Sequence, residues 1–156
     1  MEYQTGMSEQ IRKQISTELS TLLAESYALY LKVQDFHWNV TGPGFFGLHI
    51  FFEKQYQDLA EALDEIAERI RALGFFVEGS FSAFQKLSSL KEEKGKQPKE
   101  AMLKHLIEGH ESVIRHLRSL NALADKEKDF ATTELLSKRL LIHEKFAWMA
   151  RSELSS

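Results

Sequence analysis

Along residues 8–40 the apolar positions Ile11, Ile15, Leu19, Leu22, Tyr30, Val33 and Phe36 recur at steps of three and four, apart from one two-turn gap. That is the period of an amphipathic helix. Thr41, Gly42, Pro43 and Gly44 interrupt it. A second helix is predicted to start near Phe45 to Gly47 and to run to Gly74, on the stripe Leu48, Phe52, Tyr56, Leu59, Leu63, Ile66, Ile70 and Leu73. The period fades over residues 75–97, where Phe75, Phe76, Phe81 and Phe84 lie scattered among Gly and Ser. A long connection is expected there, packed through its phenylalanines and holding a short helix around Ser82 to Ser88. Pro98 opens a third long helix, with Leu103, Leu106, His110, Val113, Leu117, Leu120 and Ala124 on one stripe. A fourth runs from about Asp129 to Leu154, with Leu135, Leu136, Leu140, Ile142, Phe146 and Met149 as its apolar residues. Trp38 and Trp148 are expected in the core. With no strand pattern, the chain reads as all-α, a four-helix bundle with a short extra helix between helices two and three.

The length of 156 residues suits a single domain spanning 1–156, of which residues 1–7 are expected to form a flexible tail. No signal peptide and no apolar run of membrane-spanning length is present, so the expected location is cytoplasmic, without membrane attachment. The chain contains no cysteine, which excludes disulfides, thiolate zinc sites and cysteine nucleophiles. Any metal must therefore be held by His, Asp or Glu.

The second helix carries polar residues that its core stripe does not explain. At about 100° per residue, His49, Glu53, Asp64 and Glu68 share one face, with Tyr56 and Ala60 between them. Each pair is spaced i, i+4, which brings two side chains within reach of one ion. The pairs are separated by about 16 Å of helix rise, so one ion cannot touch both within a single chain. Two copies of the helix packed antiparallel and crossing near residue 58 would remove that separation and generate two identical sites. His37, just before the Gly-Pro-Gly turn, can fold back toward His49. Two imidazoles and three carboxylates suit Fe(II), Mn(II) or Zn(II). The alternative for Asp64 with Glu68 is a solvated face partnered by Arg69 and Arg71, and for His37 a helix-end contact. No histidine has Glu three residues before it and no His-Glu-x-x-His occurs, so His105, His110, His116 and His143 are assigned to packing or surface.

The segments His37-Trp38-Asn39-Val40-Thr41-Gly42, Leu48-His49 with Glu53, and Leu63-Asp64-Glu65-Ile66-Ala67-Glu68-Arg69 resemble the signature of the Dps family, the miniferritins of the ferritin-like class. His143-Glu144-Lys145 and Trp148-Met149 resemble that family's last helix. The resemblance implies a hollow shell of twelve subunits with two ferroxidase sites at each two-fold interface. His37, His49 and Glu53 would come from one subunit, and Asp64 and Glu68 from its partner. It further implies that Fe(II) is oxidised, preferably with hydrogen peroxide, and stored as ferric mineral, which suppresses hydroxyl radicals under oxidative stress. Zinc or manganese would be able to take the place of iron. Asp129 and Glu134 lie where the family lines its entry pores with acids; the alternative for each is a helix cap. Glu53 stands where many members have Asp, and its extra methylene reaches about 1.5 Å further. Some members bind DNA through a lysine-rich tail that is not seen here. At a net charge of −3, DNA binding is expected to be weak, through Lys91, Lys94, Lys96 and Lys99 or through bridging cations.

Overall fold

The computed structural model describes residues 3–155 and contains five helices. They are α1 (Glu9–Asn39), α2 (Phe45–Ala72), α3 (Phe81–Leu87), α4 (Lys99–Lys126) and α5 (Phe130–Leu154). Ser8, Ser80 and Asp129 start α1, α3 and α5 by accepting a backbone N–H three residues on, which satisfies a donor the helix itself leaves open. Among the described residues no helix is long and apolar enough to cross a membrane.

Two contacts fix the topology. Lys99, at the start of α4, donates to the Pro43 carbonyl in the turn between α1 and α2. Arg69, near the end of α2, bonds Asp129 in the turn between α4 and α5. So α2 and α4 run parallel, and the connection 73–98 must return along the length of the bundle. It packs as it goes: Phe75 and Phe84 lie against the core, whereas Phe76 and Phe81 are exposed. Just beyond α3 it is tied down by Ser89, which donates to Glu25; the same carboxylate takes His116 of α4. That hydrogen bond, reinforced by the Glu25 and Glu18 charges, raises the His116 pKa above its ordinary value.

The core follows the predicted stripes in α1, α2 and α4. At one point α1 and α4 nearly touch: a Cβ on Gly109 would stand 2.9 Å from Leu29. Two expectations need correction. Trp38 and Trp148 are 62% and 61% exposed, because each sits on the outward side of its helix. In the segment expected to form the tail, Tyr3 lies under the Arg12 guanidinium and Met7 packs against the core; residues 1 and 2 lie outside the described residues. The largest difference is in α5. Of its expected apolar set only Leu136 is buried, and the inward stripe is instead Thr132, Leu136, Arg139, His143, Ala147 and Ala150.

That stripe is polar because it is mated to polar groups across the bundle. Arg139 only donates, so His143 Nε2 at 3.2 Å must accept from its Nη2, which leaves the proton on His143 Nδ1. His143 Nδ1 then donates to His110 Nδ1 at 2.9 Å, and His110 Nε2 donates to Gln55 Oε1 at 2.8 Å. Arg139 also bonds Asp58 at 2.8 Å. Every link is satisfied only while both imidazoles are neutral. Burial, helped by the Arg139 charge, pushes His110 down to about 3, and burial first, then His110 and Arg139, hold His143 well below its ordinary value.

The unfolded imidazoles, near 6.5, take up protons that the folded ones refuse, so this contribution to stability is complete above that value and shrinks as pH falls toward 3. His116, whose folded value is raised, gains stability as pH falls through the same unfolded value and so opposes the effect, but it does so equally in the wild type and in a variant that leaves it intact. The urea midpoint is expected to fall between about pH 6.5 and about pH 5, and to fall less in the double variant His110→Leu with His143→Phe. Equal slopes in the two proteins would contradict the assignment.

Candidate metal centre

The Gly42–Gly44 turn reverses the chain so that the last turn of α1 faces the first turns of α2. His37 and His49 meet there as stacked rings, 3.8 Å between centroids and 19° between planes. Each imidazole bonds the backbone of the other: His37 Nδ1 to the His49 carbonyl at 2.9 Å, and His49 Nδ1 to the His37 carbonyl at 2.8 Å. A carbonyl oxygen only accepts, so both Nδ1 atoms carry a proton, and in the neutral imidazole it is Nε2 that has the lone pair. This is the tautomer a metal ligand needs, with its orientation fixed by the second ring nitrogen. Tyr56 meets the His37 ring edge-on at 5.1 Å, and Phe45 stacks on His49 at 5.1 Å. Neither contact was anticipated from sequence; the only signal for Phe45 is its position four residues before His49.

Glu53 lies one turn beyond His49, half-buried, with Gln57 at 3.5 Å. Asp64 and Glu68 are exposed on α2, about 16 Å of helix rise further on. Asp64 borders a hollow of about 450 Å³ lined by Tyr27, Ala60, Leu63, Ala67 and Phe81. The chain therefore brings His37 and His49 together and does not bring Asp64 and Glu68 to them. Among the described residues no group of three or more His, Cys, Asp or Glu side chains is placed to hold a metal ion. The donor types suit a borderline or hard divalent ion, and the set within one chain is incomplete.

Comparison with known proteins shows the family. A family model for the ferritin-like domain matches residues 16–156. A Porphyromonas gingivalis protein named DNA protection during starvation protein is 36% identical over 145 residues, which cover 93% of this chain and 91% of that protein. The chain belongs to the Dps family of ferritin-like proteins. A Nostoc protein described as low temperature-induced and uncharacterized is 38% identical to this Dps-family chain over 149 residues, covering 94% of it and 83% of the relative. The crystal structure of a Dps protein from Vibrio cholerae O1 is described as a member of a broad superfamily of ferritin-like diiron-carboxylate proteins. It matches with a TM-score of 0.93 at 30% identity, over 97% of this chain and 96% of that one.

The two candidate pore acids of this Dps-family chain differ in environment. Glu134 is exposed. Asp129 is 3% exposed; it caps α5 through the Thr132 N–H and Thr132 hydroxyl, and pairs with Arg69 at 2.7 Å. Arg69 also donates to the Thr132 hydroxyl, so one cluster locks the end of α2 beside Glu68 to the start of α5. Asp129→Ala removes the cap and leaves a partly buried guanidinium without its carboxylate. It is expected to cost about 2 to 3 kcal/mol in urea unfolding, far more than Glu134→Ala.

Proposed function

We propose that this protein oxidises and stores iron at sites shared between two subunits. The reading is carried by one observation: His37 and His49 are locked in the ligand tautomer at one end of α2, while the acids that would complete the site, Asp64 and Glu68, lie on the same helix beyond their reach. A two-fold dimer with the α2 helices antiparallel places each acid pair beside the partner's imidazoles. The exposed apolar hollow beside Asp64 supports burial of that face against a second copy. The diiron-carboxylate description of the Vibrio cholerae relative supports iron as the substrate.

In this reading His37, His49 and Glu53 of one subunit, with Asp64 and Glu68 of the other, bind Fe(II). Three carboxylates against two neutral imidazoles favour Fe(III) over Fe(II) and so favour electron loss. Hydrogen peroxide is the proposed oxidant. Two Fe(II) ions each give one electron, the peroxide O–O bond breaks, and with two waters the oxygens enter ferric oxyhydroxide while four protons leave. The mineral collects inside a dodecameric shell built from these dimers, with Glu134 drawing cations toward an entry pore. Zinc and manganese fit the same donors and would occupy them in competition with iron. The protein is cytoplasmic in this scheme, and it protects DNA by removing iron and peroxide rather than by coating the duplex, which a net charge of −3 disfavours.

Stopped-flow oxidation of Fe(II) by hydrogen peroxide tests the proposal. The wild type is expected to oxidise iron well above the buffer rate, and Glu68→Ala, verified as assembled, to lose about tenfold or more. Equal rates in the two proteins would overturn it.

A further inference from the structure

Phe45 is poorly explained by folding alone. It is 37% exposed, it lies off the buried stripe of α2, which starts at Leu48, and it is the first residue of its helix, where a large apolar side chain has no capping role. Its ring contacts are Phe46 and, four residues on, the face of His49, at 5.1 Å with 28° between planes. His37 stacks on the imidazole at 3.8 Å and Phe45 at 5.1 Å, so two aromatic rings lie against His49.

The consequence concerns the proton on His49. Its place on Nδ1 depends on one hydrogen bond to the His37 carbonyl, at a position that is half-buried in the single chain. Water at an uncovered ring competes for that bond, and a freed imidazole redistributes its proton between the two nitrogens. Each molecule with the proton on Nε2 has lost its lone pair for the metal. His37 is protected differently: it is buried, and Tyr56 meets its ring edge-on.

We infer that Phe45 is a positioning residue, whose ring shields the His49–His37 carbonyl bond from water and so keeps His49 Nε2 free to bind the metal ion. The inference rests on the proposed iron site. It assigns Phe45 no contact with iron or oxidant; it acts through His49.

The test uses the assembled protein with Co(II) as probe, which reports its ligands by absorption without turnover, and ¹⁵N-histidine solid-state spectra of the metal-free protein, which report the tautomer. Phe45→Ala is expected to weaken Co(II) binding about tenfold and to give His49 a signal from the Nε2–H form, with His37 unchanged. Phe45→Tyr is expected to restore both. Wild-type affinity and a single His49 tautomer in Phe45→Ala, with Co(II) binding lost in His49→Ala, would overturn the role of Phe45 and leave the site intact. Co(II) binding unaffected by His49→Ala and by His37→Ala would overturn the site itself, and the inference with it. If Phe45→Ala does not assemble, Phe45→Leu keeps the apolar volume and offers a poorer cover. Wild-type affinity and tautomer in that variant would also overturn the inference.

Discussion

A straight α-helix rises about 1.5 Å per residue, and that rigidity separates Glu53 from Asp64 by about 16 Å however the rest of the chain folds. The remaining arrangement follows from this separation. No rotamer of Asp64 or Glu68 can bring its carboxylate to His37 and His49 of the same chain. The helix face holding all four residues is unfinished in a single chain, and next to Asp64 it opens into an apolar hollow. Under the proposed reading the same rigidity becomes useful, because two copies of one stiff rod, related by a two-fold axis, set both pairs at matching distances twice over.

The bundle supplies the stiffness at both ends of that rod. At its start, the turn holds His37 against His49 through bonds in which each ring uses the other's backbone, so neither imidazole can turn without breaking a link. At its end, Arg69 ties α2 to the cap of α5, and Arg12 covers the end of the helix by bonding the Leu73 carbonyl at 2.6 Å. Between these anchors the polar seam from Asp58 through Arg139, His143 and His110 to Gln55 crosses a core that is otherwise apolar. Such a seam adds little net stability compared with apolar packing, but each partner specifies the next, which fixes the rotation of α5 against α2 and α4.

The sequence made α1, α2 and α4 legible because their buried positions are apolar at steps of three and four. It misled in α5, where Arg139 and His143 occupy inward positions and the apolar Leu141 and Trp148 point out. Periodicity reads hydrophobic residues as inside, and a buried polar chain is invisible to it until the mates on other helices are known. At the candidate site, the shared face of His49, Glu53, Asp64 and Glu68 followed from helix geometry alone. The reciprocal carbonyl bonds did not, since they depend on how the turn closes. Asp129 shows the same limit: one carboxylate at a helix start reads equally as a cap or as a pore acid, and only the Arg69 and Thr132 contacts show that it caps.

The most direct test of a site divided between subunits is complementation. His49→Ala and Glu68→Ala proteins are to be inactive as separate assemblies, then dissociated, mixed and reassembled, and assayed for Fe(II) oxidation. In a mixed dimer one site collects both defects and the other collects neither, so a division between subunits predicts activity in the mixture that neither parent shows. If the mixture stays as inactive as its parents, although mass spectrometry shows that mixed dimers have formed, the two residues do not serve one shared site.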